Sequence, residues 1–449
     1  MSNIHRLNNI VTFKPANFPP LAFHTENLEI AEISEELFAS ICNQTFLNSE
    51  TQNQFKEWDH SENTEPALSS NPAKVQSLTI NVTQLCNLKC TYCAAGGDGT
   101  FGDPVKKISI EKTLPQIQFF LDKLKESDSF TISFLGGEPL LYPDSLEIIF
   151  EFINDYQTHR AIKPRFHLTT NGTLINKETL KILKKMKADI TISLDGPKEI
   201  NDLTRPNKTN LGVTDLIQDN LKKILLERDQ LGTIGVSGVY NQFNMNVFES
   251  FIFFRSLNVD WYEFNFDHIH HDSETSQKYC FEMKRVAETA FKIGGEKELR
   301  KIKSFSHYFK LLENQQKVHN FCGAGKSTLM IDARNNIYPC PWMVGDKEEQ
   351  IGEDLHINQL RLESFQPSII ETNNCHQCWA KYLCGGGCMF IHKSHTGSKN
   401  KVSETFCERT RFMAKLSIEY FFRSRSINII EPNKYKQHEG TLDEQLREE

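Results

Sequence analysis

The stretch VQSLTINVTQLCNLKCTYC, residues 75–93, decides how the chain folds. It begins with an alternating apolar run that is typical of a strand, and it ends with Cys86, Cys90 and Cys93. Three thiols directly after a strand indicate a metal centre at the carboxyl end of that strand. A four-iron cubane held by three thiolates keeps one iron free for a small molecule. A closed zinc site would need a fourth ligand, and no Cys or His follows nearby.

Strand-like and helical segments alternate from this stretch to about residue 300. Each strand-like segment is followed by a helical pattern of apolar residues. The six strand segments are residues 75–83, 129–137, 165–171, 189–196, 233–241 and 261–269. Parallel strands need crossover connections, so this order predicts an α/β fold with a partial (β/α)6 barrel of the TIM type. Functional residues of such barrels lie at the carboxyl ends of the strands, where the three cysteines also lie.

The other segments divide the chain into four predicted regions. Residues 1–74 combine short strands and a helix, which Ser34 can cap, with a polar linker. Residues 75–300 carry the barrel pattern. Residues 301–425 consist of short loops punctuated by cysteine and glycine, and then a helix. Residues 426–449 are a charged tail that we expect to be mobile.

Composition and charge exclude several classes of protein. Hydrophobic residues make up 39% and charged residues 24% of the 449 residues, as in a globular protein with a buried core. The chain has 51 Lys and Arg against 58 Asp and Glu, a net charge of −7, which argues against a nucleic-acid partner. We find no secretory pattern and no apolar run of membrane-spanning length, so we expect a cytoplasmic protein without a membrane partner.

Twelve cysteines in a reducing compartment indicate metal binding and not disulfides. Three of them lie in residues 86–93, and seven lie between residues 322 and 407. The seven are Cys322, Cys340, Cys375, Cys378, Cys384, Cys388 and Cys407. Cys42 and Cys280 stand alone, and we interpret them as small buried hydrophobic residues.

The spacing Cys-x3-Cys-x2-Cys, with Tyr92 directly before the third cysteine, resembles the radical S-adenosylmethionine (SAM) superfamily. The resemblance implies a [4Fe-4S] cluster whose open iron chelates SAM. On reduction, this cluster would split SAM into methionine and a 5′-deoxyadenosyl radical. It also implies SAM contacts from Gly136, Gly137, Glu138, Thr170, Asn171, Ser193, Asp195 and Arg205. Gly235–Val239 would line the adenine, and no catalytic residue is assigned.

Each implied SAM contact has its own role in the family. Gly136, Gly137 and Glu138 resemble the motif that meets the SAM ammonium group, and Arg205 resembles the arginine that binds the SAM carboxylate. The polar residues after the third and fourth strands correspond to positions that hydrogen-bond the ribose and carboxylate. For each of these residues, a turn or cap role is the simpler alternative.

The seven later cysteines resemble the SPASM extension of radical SAM enzymes, which implies two auxiliary [4Fe-4S] clusters and three clusters in all. The inner cluster would lie on Cys322, Cys340 and Cys388, and the outer one on Cys375, Cys378, Cys384 and Cys407. Relatives with a closed inner cluster add a Cys at the position of Gln316. The fourth iron of the inner cluster therefore has no Cys ligand nearby in the sequence. It is open to a substrate thiolate, or it is bound by water, a Glu or His, or Cys280. The family usually has Gly five residues before the second inner-cluster cysteine, where this chain has Asn335. Asn also tolerates positive φ, so we expect the backbone turn at this position to be retained.

Residues 1–74 resemble the winged-helix-like element with which precursor-peptide maturases capture a leader peptide as an added β-strand. Together with an open inner cluster, this implies a maturase that forms thioether cross-links to Cys in a ribosomally made precursor peptide. Such an enzyme would need a reducing electron donor such as flavodoxin or ferredoxin. The alternative for residues 1–74 is a simple strand cap on the barrel.

Other functions stay open at the level of the sequence. A sulfatase maturase makes formylglycine with the same clusters, but those relatives place an acidic base directly after the second inner-cluster cysteine, where this chain has Pro341. Carbon–carbon cross-linking, epimerisation and a non-catalytic adaptor with zinc at residues 375–388 are further alternatives. The glycine-rich loop at 94–102 can lie close to a cofactor or substrate, or can be exposed to solvent.

Overall fold

The computed structural model describes residues 4–15, 18–45, 48–60, 74–93, 103–126, 128–267 and 272–430. The glycine-rich loop, residues 61–73 of the polar linker and residues 431–449 of the predicted tail lie outside the described residues. Among the helices in these ranges, none has the length and apolar content that a membrane span requires.

The N-terminal unit is an antiparallel sheet followed by two helices. Its elements are β1 His5–Leu7, β2 Ile10–Phe13, β3 Leu21–His24, β4 Ile30–Glu32, α1 Glu35–Asn43 and α2 Ser49–Trp58. The strands lie in the order β1-β2-β3-β4. Ser34 caps α1 as predicted, because its Oγ accepts a hydrogen bond of 3.1 Å from Leu37 N.

This N-terminal sheet packs against the rest of the chain as well as against its own helices. Successive side chains of a strand point to opposite faces. Ile10 therefore packs with α1 and α2, whereas Val11 and Phe23 belong to the main core. The Phe23 ring lies 6.2 Å from the Trp379 ring in an edge-to-face contact. The unit is thus joined to the body of the protein through a buried face.

Six parallel strands form the centre of the protein. They are β5 Ser77–Asn81, β6 Ser129–Leu135, β7 Lys163–Thr170, β8 Asp189–Ser193, β9 Ile234–Tyr240 and β10 Trp261–Phe266. Each pairs in parallel with the next, in the order β5-β6-β7-β8-β9-β10. All six predicted strands are confirmed, and with them the partial barrel.

The helices of the barrel cover the outer face of the sheet. They are α3 Ile110–Leu121, α4 Pro143–His159, α5 Lys177–Met186, α6 Lys198–Thr204, α7 Thr214–Leu226, α8 Val247–Ser256, α9 Ser273–Leu299 and α10 Lys303–Glu313. Ile117, Leu183, Ile217 and Phe251 are fully buried on these helices. Helices packed on one face of the sheet keep the inner face free for the candidate site.

The cysteine-rich region continues the same sheet. Its elements are β11 Thr328–Ile331, β12 Asn336–Tyr338, β13 Gly352–Glu353, β14 His356–Ile357, α11 Gln359–Glu363, α12 Ile369–Thr372, α13 Lys381–Cys384, α14 Met389–Thr396 and α15 Glu404–Ile430. Strand β11 pairs in parallel with β5, and β12 to β14 extend the sheet beyond it. Helix α15 packs on α9 and α10. The sheet and core thus cross the boundary that the sequence suggests at residue 300, and the division into domains stays a proposal.

Asn335 does more than tolerate the turn between β11 and β12. Its φ is +65°, as expected for a position where relatives have Gly. Its buried side-chain amide also donates to Thr113 Oγ1 at 2.8 Å and to Gln116 Oε1 at 3.0 Å. The residue therefore ties the cysteine-rich region to α3 of the barrel.

The change Asn335→Gly is expected to destabilise the protein even though it restores the residue usual in the family. It removes two buried hydrogen bonds and leaves their acceptors unsatisfied, at a cost of about 1–3 kcal/mol. A lower urea midpoint of unfolding would measure this loss. Asn210, which has φ +60° and an exposed side chain, provides the matched control, and Asn210→Gly should leave the midpoint nearly unchanged.

Candidate active site

The cysteine loop, residues 86–93, is fixed to the segment that follows α6. Lys89 N donates to Pro206 O at 2.8 Å, and Leu88 is buried beneath the loop. Leu88 N also donates to Cys86 Sγ at 3.3 Å. These contacts hold the loop at the carboxyl end of β5, where the sequence predicts it.

Gly136 and Gly137 allow the end of β6 to approach the cysteine loop closely. A Cβ on Gly137 would lie 2.1 Å from Leu85 O, and one on Gly136 would lie 2.3 Å from Thr83 O. Gly137 N donates to that same Thr83 oxygen at 2.7 Å. Both glycines are therefore required where the backbone of β6 meets the residues before Cys86.

Glu138 is fully buried behind the wall of the site. Its Oε1 accepts hydrogen bonds from Thr170 Oγ1 at 2.7 Å and from Leu140 N at 3.0 Å, and its Oε2 accepts one from Asn171 N at 2.7 Å. Burial raises the pKa of Glu138 although these donors oppose the shift. In this structure the carboxylate holds the ends of β6 and β7 together.

Tyr92, Asp195 and Arg205 form a buried network under the cysteine loop. The Tyr92 hydroxyl donates to Asp195 at 2.7 Å and accepts from Arg205 Nη1 at 2.6 Å. Thr204 Oγ1 and Val239 N also donate to Asp195. Burial raises the pKa of Tyr92 well above its ordinary value, so the phenol keeps its proton. The network thus connects the cysteine loop to the ends of β8 and β9.

One cavity of about 450 Å³ lies between this network and the cysteine-rich region. Six of the eight predicted SAM contacts line it, whereas Glu138 and Asp195 lie behind its wall. The six are Gly136, Gly137, Thr170, Asn171, Ser193 and Arg205. Cys86, Cys90 and Cys93 lie on the same wall, and Ser237 and Val239 from the predicted adenine segment also face the cavity.

Two buried polar atoms of cavity-lining residues have no hydrogen-bond partner in the described part of the chain. They are Arg205 Nε and Asn81 Oδ1. A buried donor and a buried acceptor are costly unless a ligand satisfies them. The carboxylate and ammonium groups of SAM provide the matching pair of charges, so these residues fit that cofactor.

The thiols of the cysteine loop fit a metal cluster. Burial raises the pKa of the Cys86 thiol to about 11 and also raises the pKa of Cys90, although Arg205 opposes the latter shift. Such thiols stay protonated at neutral pH unless a metal supplies positive charge. Cys93 is exposed, and Asn171 Nδ2 lies 3.7 Å from Cys86 Sγ.

The seven later cysteines fall into two spatial groups. Burial raises the pKa of Cys384 to about 12, and Cys407, Cys378 and Cys375 raise it further. In the second group, burial raises the pKa of Cys340 to about 12, and the neighbouring thiols of Cys388 and Cys322 also raise it. The groups have the same members as the predicted outer and inner clusters.

The two isolated cysteines and Gln316 lie apart from these groups. Cys280 is buried, and its charged neighbours are Arg409 and Glu408. Cys42 is only partly buried, in contrast to the prediction, because it lies near the exposed end of α1. The Gln316 side chain is exposed.

The triple glycine between Cys384 and Cys388 connects the two groups. Gly385, Gly386 and Gly387 all have φ between +69° and +88°. A Cβ on Gly386 would lie 2.7 Å from the backbone of residues 369–370. His392 Nε2 lies 3.0 Å from Gly386 O, which further fixes the loop. The glycines let one short segment carry a ligand of each predicted cluster.

Within the described ranges, no group of three or more His, Cys, Asp or Glu side chains could hold a metal ion between them. In a cubane, each thiolate binds its own iron, so the sulfurs need not converge on one point. The geometry of the three cysteine groups therefore gives no support to a mononuclear zinc site.

The comparison with known families identifies the barrel. Residues 80–217 match the model of the radical SAM superfamily. This chain carries a radical SAM domain. Enzymes of that superfamily use SAM and a [4Fe-4S] cluster, and the matched residues run from β5 into α7 and include the cysteine loop.

Several radical SAM proteins resemble this chain over most of its length. The cysteine-type anaerobic sulfatase-maturating enzyme of Clostridium novyi is 24% identical over 377 residues, which are 79% of this chain and 96% of that protein. The antilisterial bacteriocin subtilosin biosynthesis protein AlbA of Bacillus subtilis is 26% identical over 322 residues, which are 67% of this chain and 60% of that protein.

A solved structure shares the fold. Native anSMEcpe with bound AdoMet and the Cp18Cys peptide superposes with a TM-score of 0.64 at 19% identity and covers 78% of this chain and 99% of that chain. At this identity, the likeness concerns the radical SAM fold alone.

Several cavity-lining residues are missing from the sequence prediction. They include Asn81, Glu263, Asn265, Trp342 and Phe390. Polar residues at alternate positions of a strand were the available signal for Glu263 and Asn265, because such residues point into the barrel. No local pattern marks Trp342 and Phe390, which reach the cavity only because the cysteine-rich region folds over the barrel.

Proposed function

We propose that this radical SAM chain is a peptide maturase that forms thioether cross-links between Cys sulfur and carbon in a ribosomally made precursor peptide. The observation that carries the proposal is the shared cavity. Cys86, Cys90 and Cys93 line this cavity, and so do Pro341 and Phe390. Pro341 directly follows Cys340, and Phe390 lies two positions after Cys388; both cysteines are predicted ligands of the inner cluster.

The proposal assigns three [4Fe-4S] clusters and one SAM to the chain, with the ligands predicted from the sequence. When bound, SAM and the first cluster supply a radical that removes a hydrogen atom from carbon. The chain itself positions the peptide in the cavity. Arg205 would hold the SAM carboxylate through its Nε, which has no partner among the described residues. The stacked rings of Trp342 and Phe390, whose centroids lie 5.8 Å apart, would cover part of the cavity beside the predicted inner cluster.

A sulfatase-maturase-like activity is the second candidate. The relative from Clostridium novyi, which aligns over nearly its whole length, favours it. Pro341 argues against it, because proline offers no acidic side chain after Cys340. The relative AlbA, whose name refers to the biosynthesis of the bacteriocin subtilosin, supports a biosynthetic peptide as the substrate.

The experiment is anaerobic reconstitution followed by incubation with SAM, a reductant and a short Cys-containing peptide taken from a neighbouring open reading frame. Thioether formation removes the mass of two hydrogen atoms and makes the Cys sulfur resistant to alkylation. Formylglycine formation would instead remove sulfur, and a carbon–carbon cross-link would leave the thiol open to alkylation. About twelve irons per chain support three clusters, whereas zinc without iron would contradict the proposal.

We also propose that the leader of the peptide binds to the free edge of β4. His24 N donates to Glu29 O, and Ile33 N donates to Pro20 O, which fixes the hydrogen-bonding alternation between β3 and β4. By that alternation, the backbone N–H and C=O groups of Ala31 point toward β3 and pair with those of Ala22. Ile30 and Glu32 then direct their backbone groups outward, where an added strand would pair with them.

The change Glu32→Pro is expected to weaken leader binding about tenfold or more, because it removes an outward donor while the bonds between β3 and β4 persist. Fluorescence anisotropy of a labelled leader peptide measures the affinity. Proline is tolerated at an edge position, so thermal stability should change little. The same substitution on the covered side, Ala31→Pro, should lower stability instead. Unchanged leader affinity of Glu32→Pro would refute binding at this edge.

The structure changes the design of a truncation experiment. Deleting residues 1–74 would expose the core residues that pack against Val11, Phe13 and Phe23. Loss of peptide modification in such a deletion would then report unfolding as well as loss of recognition. A point substitution at the edge avoids this ambiguity.

A further inference from the structure

Glu263 is the carboxylate of the cavity with the fewest partners. It is the third residue of β10, and its side chain is 34% exposed inside the cavity. Ser237 Oγ donates to its Oε2 at a long 3.4 Å, and Lys303 Nζ lies 3.8 Å from the same oxygen. Within the described residues, no hydrogen bond reaches its Oε1, so this oxygen can accept one from a ligand.

The other carboxylates around the cavity are already engaged. Glu138 accepts hydrogen bonds from three donors and so does Asp195, and both carboxylates lie behind the wall. Asp267 faces the cavity but is only 4% exposed, and it accepts a hydrogen bond of 3.2 Å from Asn241. Of these carboxylates, Glu263 is therefore the one that a substrate group in the cavity can contact.

The strand register places Glu263 beside the predicted SAM site. Ser193 pairs with Ser237, and Ser237 pairs with Glu263, so the three residues lie in one layer across β8, β9 and β10. Residues paired across adjacent parallel strands direct their side chains to the same face of the sheet, and all three line the cavity. The carboxylate thus faces the space between the cysteine loop and the cysteine-rich region.

The proposed reaction needs a proton acceptor. Joining a Cys thiol to a C–H carbon removes two electrons and two protons from the peptide. One proton and one electron leave together as the hydrogen atom transferred to the 5′-deoxyadenosyl radical, and the second electron goes to an auxiliary cluster. The thiol proton is left, and Pro341 cannot take it.

We propose that Glu263 is a catalytic residue that accepts the proton of the substrate thiol as the sulfur–carbon bond is prepared. This inference rests on the proposed thioether chemistry. The Glu263 carboxylate lines the cavity, and among the described residues its Oε1 accepts no hydrogen bond, whereas Ser237 and Lys303 lie near its Oε2. The proton leaves later to solvent through the open side of the cavity.

The test compares Glu263→Gln with the wild-type chain, both reconstituted anaerobically with SAM and with the Cys-containing peptide that the wild-type chain cross-links. Glutamine keeps the shape of the side chain but cannot accept the proton. We expect the rate of cross-linked peptide formation to fall about 100-fold. The amount of 5′-deoxyadenosine formed per cross-link should rise, because hydrogen abstraction is no longer followed by bond formation.

Two further variants keep the test decisive. Glu263→Asp retains a carboxylate, so it should form cross-links faster than Glu263→Gln. Glu227, which forms a similar Glu–Lys pair at 3.0 Å with Lys184 on the outside of the barrel, is the matched control, and Glu227→Gln should behave like wild type. Iron content and SAM binding, measured for every variant, should equal those of wild type.

Each other outcome has a defined meaning. A wild-type rate and product ratio for Glu263→Gln, or no gain for Glu263→Asp over Glu263→Gln, would overturn the role of Glu263. Loss of SAM binding in both variants would also overturn it and would indicate a cofactor contact. If the wild-type chain cleaves SAM but never cross-links the peptide, the proposed function fails before the role of Glu263 is addressed.

Discussion

Replacing any one of Cys86, Cys90 and Cys93 by alanine is expected to abolish SAM cleavage by the reconstituted protein. Each thiol would bind one iron of the first cluster, and a cubane that loses one of three protein ligands is no longer held firmly. Iron content should fall by about four of about twelve atoms per chain. Formation of 5′-deoxyadenosine with dithionite as the reductant measures the loss without any peptide.

Matched cysteine variants separate this effect from a general loss of structure. Cys42→Ala, on α1 and far from the loop in sequence, should leave both iron content and SAM cleavage unchanged. Cys340→Ala should lower the iron content but retain SAM cleavage, because the predicted inner cluster serves the peptide. Full SAM cleavage by Cys90→Ala would contradict the assignment of the cysteine loop.

Gly137→Ala is expected to reduce SAM cleavage about 100-fold or more, although alanine adds only one methyl group. The new Cβ would lie 2.1 Å from Leu85 O and 2.7 Å from Gln84 O. These are backbone atoms, so the clash is relieved only by moving the segment directly before Cys86. The same movement would break the hydrogen bond of 2.9 Å from Glu138 N to Leu85 O.

Gly397→Ala is the matched control for this substitution. Its Cβ would meet no atom within 4 Å, so only its φ of +79° opposes alanine, at a cost of about 1–2 kcal/mol. We expect slightly lower thermal stability and unchanged SAM cleavage for this variant. If both variants cleave SAM equally well, close approach at Gly137 does not position the cysteine loop.

The sequence predicts the central barrel because its signals are local. Apolar residues at alternate positions identify the six strands, and each strand is separated from the next by a helical pattern of adequate length. Ser34 and Asn335 are likewise predictable, since a helix cap and a turn with positive φ depend on a few neighbouring residues.

The edges of the fold are not predictable in this way. Strand β11 has only four residues within a region of loops, and it becomes a strand because β5 offers an unpaired edge. The docking of the N-terminal sheet through Val11 and Phe23 depends on partners more than 300 residues away, such as Trp379. Contacts of this kind leave no periodic trace in the sequence.

For the candidate site, the sequence alone determined which residue types are present and in what order, because the spacing of the cysteines and the glycine pair are local features. Tertiary structure decided what these residues do. Glu138 and Asp195, whose contact with SAM stays a prediction, lie behind the cavity wall, whereas Glu263 and Trp342, which the sequence analysis does not single out, lie on it. The physical reason is that burial and hydrogen-bond partners are set by packing between distant segments, which a motif does not encode.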